Sequence, residues 1–276
     1  WLRLDMLTQP MDSNPLLAGI RTALIGTLYL LVIVVLTAFP VGIAAAIYLE
    51  EYADRSKWYN RLIETNIRNL AGVPSIIYGL LGLQLLVRFL GDSTTGGLGL
   101  TSGQAFGVTD GTGRNLITAG LTLALLVLPV IIINAQEAIR AVSPSYREAS
   151  YGLGATKLQT IRRAILPSAL PGILTGIILS LSRAVGETMV VAIAAGAGPR
   201  NFGSWSEALT NLAAFNPFKA GETMTGHIVR ISGGDLSYGT LDYTSLFAIG
   251  LLLFLMTLGL NILSRMLVAR FREEYE

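Results

Sequence analysis

The sequence of 276 residues contains no cysteine and a single histidine, His227. A chain without cysteine forms neither a disulfide nor a thiolate metal site, and one histidine leaves little for a zinc or haem site. Charged residues make up only 14% of the chain and hydrophobic residues 52%, whereas charged residues are about a quarter of a typical soluble domain. The formal net charge of +2 is too small to indicate nucleic-acid binding. This composition is typical of a protein whose solvent is the lipid bilayer.

The sequence also lacks the motifs of nucleotide hydrolysis and of nucleophilic catalysis. The glycine-rich run at 96–99 has no lysine after it, so it does not form a phosphate loop. The single histidine lies in a predicted outer loop, which argues against a Ser/His/Asp protease or a histidine-based acid/base enzyme. We therefore expect no catalytic residues, metal or cofactor in this chain.

Apolar stretches of about 20 residues, the length that crosses a membrane as a helix, dominate the chain. Five such stretches occur, at 23–49, 70–90, 116–139, 170–195 and 243–268. Each contains Gly or Pro, which membrane helices tolerate because neighbouring helices satisfy the freed backbone groups. The sequence thus predicts an all-α fold, a polytopic transmembrane helix bundle forming one domain over 1–276.

The distribution of lysine and arginine predicts the orientation of the bundle. Basic residues are concentrated at 55–68, at 140–163 and at 265–272, and short basic loops face the cytoplasm. The C-terminus is then cytoplasmic. Because the chain starts with Trp1 and 1–17 lacks a signal-peptide pattern, we expect the natural chain to begin earlier, and a preceding helix would give six spans.

The loops between the spans differ in character. The cytoplasmic segment 50–69 reads as an amphipathic helix with Trp58, Leu62 and Ile63 on one side, which suits either a helix at the membrane surface or a solvated connector. The outer segments 91–114 and 198–242 are long, and the second contains possible short helices at 204–215 and 221–231. Since loops of this length are often functional, we expect the two to form an external docking surface.

The segment 143–166 carries the strongest motif. Arg147-Glu148-Ala149-Ser150 is followed by Gly154, by basic residues including Lys157, and by Leu166-Pro167. Small residues on one side of a short helix permit close approach to another surface, and Gly154 supplies a left-handed turn at the helix end. The pattern predicts a helix that fits a groove on a cytoplasmic partner; the alternative is an amphipathic connector between spans.

This motif closely resembles the Glu-Ala-Ala loop of ABC importer permeases, with Ser150 in place of the second alanine and Ala164 where isoleucine is expected. We call 143–166 the coupling loop. The stretches 48–52 (YLEEY), 70–79 and 181–188 further resemble the PstA-type permease subunits of phosphate ABC importers. The resemblance covers about 19–270.

The resemblance implies a type I permease fold in the cell (inner, cytoplasmic) membrane and a complex with several partners. These are a PstC-like second permease, a PstB-like ATPase dimer that binds ATP and Mg, and a PstS-like phosphate-binding protein. In such a complex Arg147, Glu148, Ala149, Ser150, Gly154, Lys157 and Pro167 would couple the permease to the ATPase.

Arg183 lies near the middle of the fourth predicted span. A charge at that depth costs roughly 2.5–3.5 kcal/mol on insertion scales. Glu187, four residues on, would share its helical face and form an ion pair with it, and Ser182 and Thr188 add hydroxyl groups nearby. The pair either holds helices together or contacts substrate: a guanidinium binds phosphate through two hydrogen bonds, and the resemblance implies that the matching arginine and glutamate take part in phosphate passage.

Three alternatives to a phosphate importer subunit remain open from the sequence. The first is a permease for another oxyanion such as sulfate or molybdate, which differs only in the pocket. The second is an ion-coupled secondary transporter in which Glu187 carries a proton. The third is a membrane assembly subunit that transports nothing.

Overall fold

The computed structural model describes residues 5–10, 19–89, 113–195, 218, 220–234 and 240–273. Within these ranges all regular secondary structure is helical and there is no strand, so the predicted all-α class is confirmed. The predicted helix at 204–215 and nearly all of the outer segment 91–114 lie outside the described residues.

The α-helices of the described residues are numbered in chain order. They are α1 Asp5–Thr8, α2 Arg21–Ile47, α3 Trp58–Ala71, α4 Ser75–Gly82, α5 Leu116–Arg140, α6 Pro144–Gly152, α7 Lys157–Thr160, α8 Leu166–Val185, α9 Met189–Ala194, α10 Met224–Ser232 and α11 Leu241–Glu273. The described residues also contain three π-helical segments. Tyr48–Tyr52 extends α2, Leu83–Phe89 extends α4, and Ile161–Ile165 joins α7 to α8.

Four helical stretches are long and apolar enough to cross a membrane, and they correspond to four of the five predicted spans. They are Arg21–Tyr52, Leu116–Arg140, Lys157–Val185 and Tyr243–Met266. A fifth span is reached if the bent pair Trp58–Ala71 and Ser75–Phe89 is counted as one, with an angle of 102° between its halves. The predicted polytopic bundle is therefore confirmed, and the second span differs in form.

The second span is broken at Pro74. At the start of the predicted span 70–90, α3 ends at Ala71 and α4 starts at Ser75. Pro74 is the N-cap residue of α4 with a ψ of 138°, and the residue before a proline is disfavoured in helical conformation. The amphipathic helix predicted within 50–69 is present as α3, and its Trp58 side chain is exposed; its contact with the membrane surface stays a prediction.

The chain forms two compact units. The first unit comprises Trp1–Leu36, Pro74–Leu126 and Ala184–Thr257, and the second comprises Thr37–Val73, Val127–Arg183 and Leu258–Glu276. The core of the second unit packs the end of the first span against α5 and α8 through Leu49, Ile139 and Ile173. In the first unit, one cluster joins Leu30 to Leu116 and Val191, and another places Met224 against Ile249.

Glycine permits α8 to approach α5 closely within the second unit. A Cβ atom added to Gly172 would lie 2.8 Å from the Cβ of Ala138, and one added to Gly176 would lie 2.6 Å from the Cβ of Asn134. Two glycines four residues apart form the small-residue contact by which membrane helices pack without a hydrophobic driving force. This contact fixes α8, whose last turn contains Arg183, against the third span.

Candidate functional site

The coupling loop contains the predicted short helix, α6, and its ends follow from its sequence. Pro144 occupies the first helical position, where its fixed φ suits the helix and its missing N–H is not needed. After the helix ends at Gly152, Gly154 adopts a left-handed conformation with a φ of 80°. Its amide donates a hydrogen bond to the carbonyl oxygen of Tyr151 at 2.9 Å. The prediction of a helix followed by a left-handed glycine is confirmed.

One side of the coupling loop is open to a partner. Glu148, Ala149 and Lys157 are exposed, as are Leu153 and Leu158, at 89% and 66%. Exposed apolar side chains in this loop favour the predicted contact with another protein. The sequence analysis did not predict that these two leucines contact a partner. What could have indicated it is a large apolar residue before and after Gly154 in a loop that is mostly polar.

Two residues of the predicted coupling set turn back to contact their own chain. Nη2 of Arg147 lies 2.8 Å from Oε1 of Glu51, at the end of the first span. The hydroxyl of Ser150 lies 2.8 Å from the hydroxyl of Thr160, which is completely buried. These two side chains hold the loop in place. Within the four residues 147–150, Glu148 and Ala149 are therefore the two that are exposed.

The fourth span starts and stops earlier than the sequence predicted. The helical stretch runs from Lys157 to Val185 and includes Pro167, exposed in the first turn of α8. The chain then leaves the helix and resumes as α9 at Met189. The amide of Met189 donates a 3.2 Å hydrogen bond to Oε1 of Glu187, and such side-chain bonds to the backbone compete with helix continuation. The expectation of one unbroken helix over 170–195 is therefore wrong.

Arg183 and Glu187 consequently lie on either side of a helix end. Arg183 is in the last turn of α8, is exposed, and makes no hydrogen bond or ion pair to the described residues of the second unit. Glu187 belongs to the first unit and is half-buried. Two residues four apart in sequence face each other only when both lie on one continuous helix. Because α8 ends at Val185, the prediction that Arg183 and Glu187 share a helical face is wrong.

The two hydroxyl residues predicted beside them have different surroundings. Ser182 is half-buried within α8. Thr188 is the N-cap residue of α9, and its hydroxyl donates to the carbonyl oxygen of Gly186 at 3.3 Å. Thr188 thus contributes to the helix break itself.

A helix in the second outer segment packs on this break. The predicted helix at 221–231 is confirmed as α10, and the hydroxyl of Thr223 caps it by accepting from the amide of Gly226 at 3.1 Å. The amide of Met224 donates to the hydroxyl of Thr27 on α2 at 3.1 Å. The hydroxyl of Thr225 donates to the carbonyl oxygen of Glu187. α10 is therefore bonded both to the first span and to the break in the fourth.

A charge cluster lies at the start of α10, where Glu222 and His227 are buried and Arg230 is exposed. Oε1 of Glu222 is 2.6 Å from Nε of Arg230 and 3.0 Å from Nδ1 of His227. Its Oε2 is buried without a hydrogen-bond partner among the described residues, and Glu222 is one of the residues that line a cavity of about 160 Å³. Burial alone would raise the pKa of Glu222, but the hydrogen bonds and charges of His227 and Arg230 outweigh it and lower that pKa below its ordinary value.

This cluster was not predicted from the sequence, where His227 was considered as a metal ligand or a catalytic residue and not as the partner of a carboxylate. The available signal was spacing: His227 and Arg230 are three residues apart on α10, which places both on one helical face. Glu222 precedes the helix, and no periodic pattern marks it.

Comparison with known proteins gives a family match over most of the chain. Residues 38–273 match the family described as binding-protein-dependent transport system inner membrane component. The probable ABC transporter permease protein YqgH of Bacillus subtilis is 31% identical over 261 residues, which is 95% of this chain and 75% of YqgH.

Two further relatives carry names from phosphate transport. The phosphate transport system permease protein PstC of Haemophilus influenzae is 32% identical over 266 residues, covering 92% of this chain and 77% of PstC. The phosphate transport system permease protein PstA 1 of Mycobacterium tuberculosis is 37% identical over 178 residues, covering 64% of this chain and 51% of PstA 1. The predicted resemblance to permeases of this kind is confirmed.

Solved structures with the same fold are ABC importers. An inward-facing structure of the MetNI methionine ABC transporter matches with a TM-score of 0.57 at 19% identity, over 90% of this chain and 94% of the other. A bacterial ABC transporter that imports alginate matches with a TM-score of 0.57 at 16% identity, over 98% and 84%. The expected ABC importer permease fold is confirmed.

Proposed function

The chain belongs to the family of binding-protein-dependent transport system inner membrane components, and we propose that it is one of two permease subunits of an ABC importer for inorganic phosphate. A member of this family is a multi-pass inner membrane protein and is not itself catalytic. The observation that carries the choice of phosphate is the 32% identity to a phosphate permease over 92% of this chain.

Arg183 is the residue we propose to bind the anion. Its guanidinium is exposed at the end of α8, and it has no partner in the described part of its own unit that would neutralise it. A planar guanidinium offers two parallel N–H donors to a phosphate, a geometry that lysine lacks. Ser182 and Thr188 supply hydroxyl groups close to it in sequence.

Glu187 is the residue we propose to discriminate among anions. Phosphate at neutral pH still carries a proton and can donate a hydrogen bond to a carboxylate, whereas sulfate has no proton to donate and is repelled. A carboxylate four residues from Arg183 in sequence would therefore favour phosphate. It would also prevent the anion from binding too tightly to leave.

The remaining subunits of the importer follow from the coupling loop. We propose that Glu148, Ala149 and the exposed Leu153 enter a groove on a PstB-like ATPase dimer, which binds ATP and Mg. The other partners are a PstC-like permease and a PstS-like binding protein that delivers phosphate at the outer segments. In this orientation the coupling loop and the C-terminus are cytoplasmic, and ATP binding moves the spans between two states.

The experiment is transport by the complex reconstituted in lipid vesicles with its binding protein. We expect uptake of labelled phosphate, in preference to labelled sulfate, that stops when ATP is withheld and persists with an uncoupler. Arg183→Gln should reduce uptake about tenfold or more, since a charged hydrogen bond contributes about 1.5–3 kcal/mol, and Arg183→Lys should restore it only in part. Arg265→Gln, an exposed arginine of α11, is the control.

Each contrary outcome points to a different alternative. Preferential uptake of sulfate or molybdate would replace the substrate and keep the importer. Uptake that an uncoupler abolishes while ATP is held constant would indicate a secondary transporter. Absence of any flux would indicate an assembly subunit.

A further inference from the structure

The side-chain hydrogen bonds from α6 to other elements of its unit come from two residues, Arg147 and Ser150. None of the residues of α6 is buried, so it contributes no side chain to the core of the second unit. Its half-buried residues are Arg147 and Ser150. A force applied to α6 from outside must therefore pass through the side chains of these two residues or along the chain itself.

Arg147 joins three elements at one point. From its position on α6 it donates from Nη2 and Nε to Oε1 of Glu51, at 2.8 and 3.3 Å. Its Nη1 donates to the carbonyl oxygen of Val142 at 2.9 Å, and Nη2 also donates to that of Ile139 at 3.1 Å. These carbonyls are at the C-terminal end of α5, where a cation is favoured. The side chain of Glu51 is only 8% exposed.

A second arginine binds the neighbouring carboxylate, Glu50, in the same way. Arg140, the last residue of α5, donates from Nη2 to Oε2 and from Nε to Oε1 of Glu50, at 2.9 and 3.2 Å. Two consecutive carboxylates at the end of the first span thus bind the end of the third span and the coupling helix. Both lie in the π-helical turn Tyr48–Tyr52, a type of turn that occurs frequently at functional sites.

Lys157 adds a weaker contact in the same place. Its Nζ lies 4.9 Å from the centre of the Tyr52 ring, within the range of a cation–π interaction. Since Lys157 begins the helix that becomes the fourth span, the end of the first span contacts the elements on both sides of α6.

We propose that Glu51 and Arg147 form a rigid link that carries movement of the coupling helix into the first span, and that Glu50 and Arg140 extend it to the third. The proposal rests on the proposed function, because it needs an ATPase that moves α6. Glu50 and Glu51 are then positioning residues of the transport cycle, acting on the spans and not on the substrate.

Stability alone is a weak reason for this arrangement. A buried ion pair costs so much desolvation that apolar residues of similar volume often stabilise a protein as well or better. What these contacts provide is a directional connection among α6, the end of α5 and the end of the first span. It consists of six hydrogen bonds, four from Arg147 and two from Arg140. None of the residues of α6 is buried. In the described structure, the bonds from Arg147 to Glu51 are its only side-chain hydrogen bonds to the first span.

The test is the ratio of phosphate uptake to ATP hydrolysis in the reconstituted complex. We expect Glu51→Gln and Arg147→Met to keep stimulation of the ATPase by loaded binding protein while the ratio falls about tenfold, the factor that 1.4 kcal/mol represents. The exchange of charges, Glu51→Arg with Arg147→Glu, should recover part of the ratio. Arg265→Met is the control, since Arg265 is an exposed arginine of α11 outside the link. A purely structural role would lower uptake and hydrolysis together and leave the ratio unchanged, which would overturn the proposal.

A cross-link tests rigidity directly and does not depend on the ion pair. The 276-residue sequence has no cysteine, so Glu51→Cys with Arg147→Cys introduces a single pair of thiols into it. A short bismaleimide is preferable to a disulfide, which requires Cα atoms within about 7 Å. If the two positions move as one body, the cross-link restores the uptake ratio that the double substitution lowers. A cross-link that lowers uptake further would show that they separate during the cycle and would overturn the proposal.

The same measurements separate this proposal from the proposed function. If the wild-type complex takes up phosphate with ATP and the ratio is insensitive to both carboxylate and arginine variants, only the link is wrong. If the wild-type complex shows no ATP-driven uptake, the importer itself is wrong, and the variants are not needed to establish that.

Discussion

The hydroxyl of Thr225 donates a hydrogen bond of 2.9 Å to the main-chain carbonyl oxygen of Glu187. Thr225 is only 4% exposed, and Glu187 lies in the segment that separates α8 from α9. A carbonyl freed by a helix break needs a donor if it is not to be left unpaired. An outer helix, α10, supplies that donor and so stabilises the conformation in which the fourth span is interrupted.

Replacement of Thr225 by valine should loosen the break. Valine keeps the shape of threonine but removes the donor, and an unpaired buried acceptor costs about 1–3 kcal/mol. We expect backbone amides at 186–192 to exchange hydrogen for deuterium about tenfold faster, the change that 1.4 kcal/mol produces. Hydrogen exchange of the assembled complex measures this.

Thr225→Ser is the matched control for the valine variant. It keeps the hydroxyl and removes a methyl group, so exchange at 186–192 should stay close to that of the wild type. Equal acceleration in both variants would mean that packing of the methyl group, and not the hydrogen bond, holds the segment.

The Glu222 cluster should make the stability of the first unit depend on pH. The folded-state pKa of Glu222 is lowered from the ordinary value of 4.5. A lowered pKa means that the ionised carboxylate stabilises the fold above pH 4.5, and that this contribution is lost as the pH falls through the folded pKa. Glu222→Gln should therefore be less stable than wild type at pH 7, and the difference should shrink on acidification below about pH 4.3.

Thermal unfolding of the purified chain in detergent, followed by circular dichroism between pH 3 and 7, measures this difference. Glu148→Gln is the control because Glu148 is exposed and forms no ion pair in the described residues, and its unfolding should track wild type throughout. A difference between Glu222→Gln and wild type that is constant with pH would mean that the ionisation of Glu222 does not contribute.

The sequence predicted the spans better than it predicted the site. Runs of apolar residues decide which segments enter a membrane, so long helices such as Leu116–Arg140 were located within a residue or two. The interruption of the fourth span after Val185 was not predicted. It depends on a side-chain hydrogen bond of Glu187 and on the hydroxyl of Thr225, 38 positions away. Likewise, no pattern shows that Arg147 binds Glu51, 96 positions away.

The left-handed glycine of the coupling loop gives a prediction that separates backbone strain from packing. A Cβ atom at Gly152 or at Gly154 would meet nothing within 4 Å, but only Gly154 has a positive φ, of 80°. A left-handed conformation costs a residue with a side chain about 1–2 kcal/mol. Gly154→Ala should therefore destabilise α6, whereas Gly152→Ala, at the last helical position, should be neutral or slightly stabilising.

Hydrogen exchange at 146–152 measures the opening of α6 in both glycine variants. Protection should fall in Gly154→Ala and be unchanged or higher in Gly152→Ala. In the reconstituted complex the first variant should also need more ATPase subunit for full stimulation, because an ordered α6 is the surface that we propose to enter the groove. Equal behaviour of the two variants would rule out a requirement for the left-handed turn.

Replacement of Glu187 by glutamine tests the proposed selectivity while preserving the local structure. Oε1 of Glu187 accepts the amide of Met189 at 3.2 Å, and the side-chain carbonyl of glutamine accepts the same bond. The variant therefore removes the charge and keeps the start of α9.

A neutral amide neither repels sulfate as a carboxylate does nor accepts the phosphate proton as strongly. We therefore expect the uptake ratio of phosphate to sulfate to fall about tenfold in Glu187→Gln, equivalent to 1.4 kcal/mol. Competition between labelled phosphate and unlabelled sulfate in vesicles measures the ratio, with Arg265→Gln, at an exposed position of α11, again as the control. If Glu187→Gln transports phosphate at the wild-type rate and still excludes sulfate, selectivity lies in the binding protein or elsewhere in the pathway, and the carboxylate serves only to begin α9.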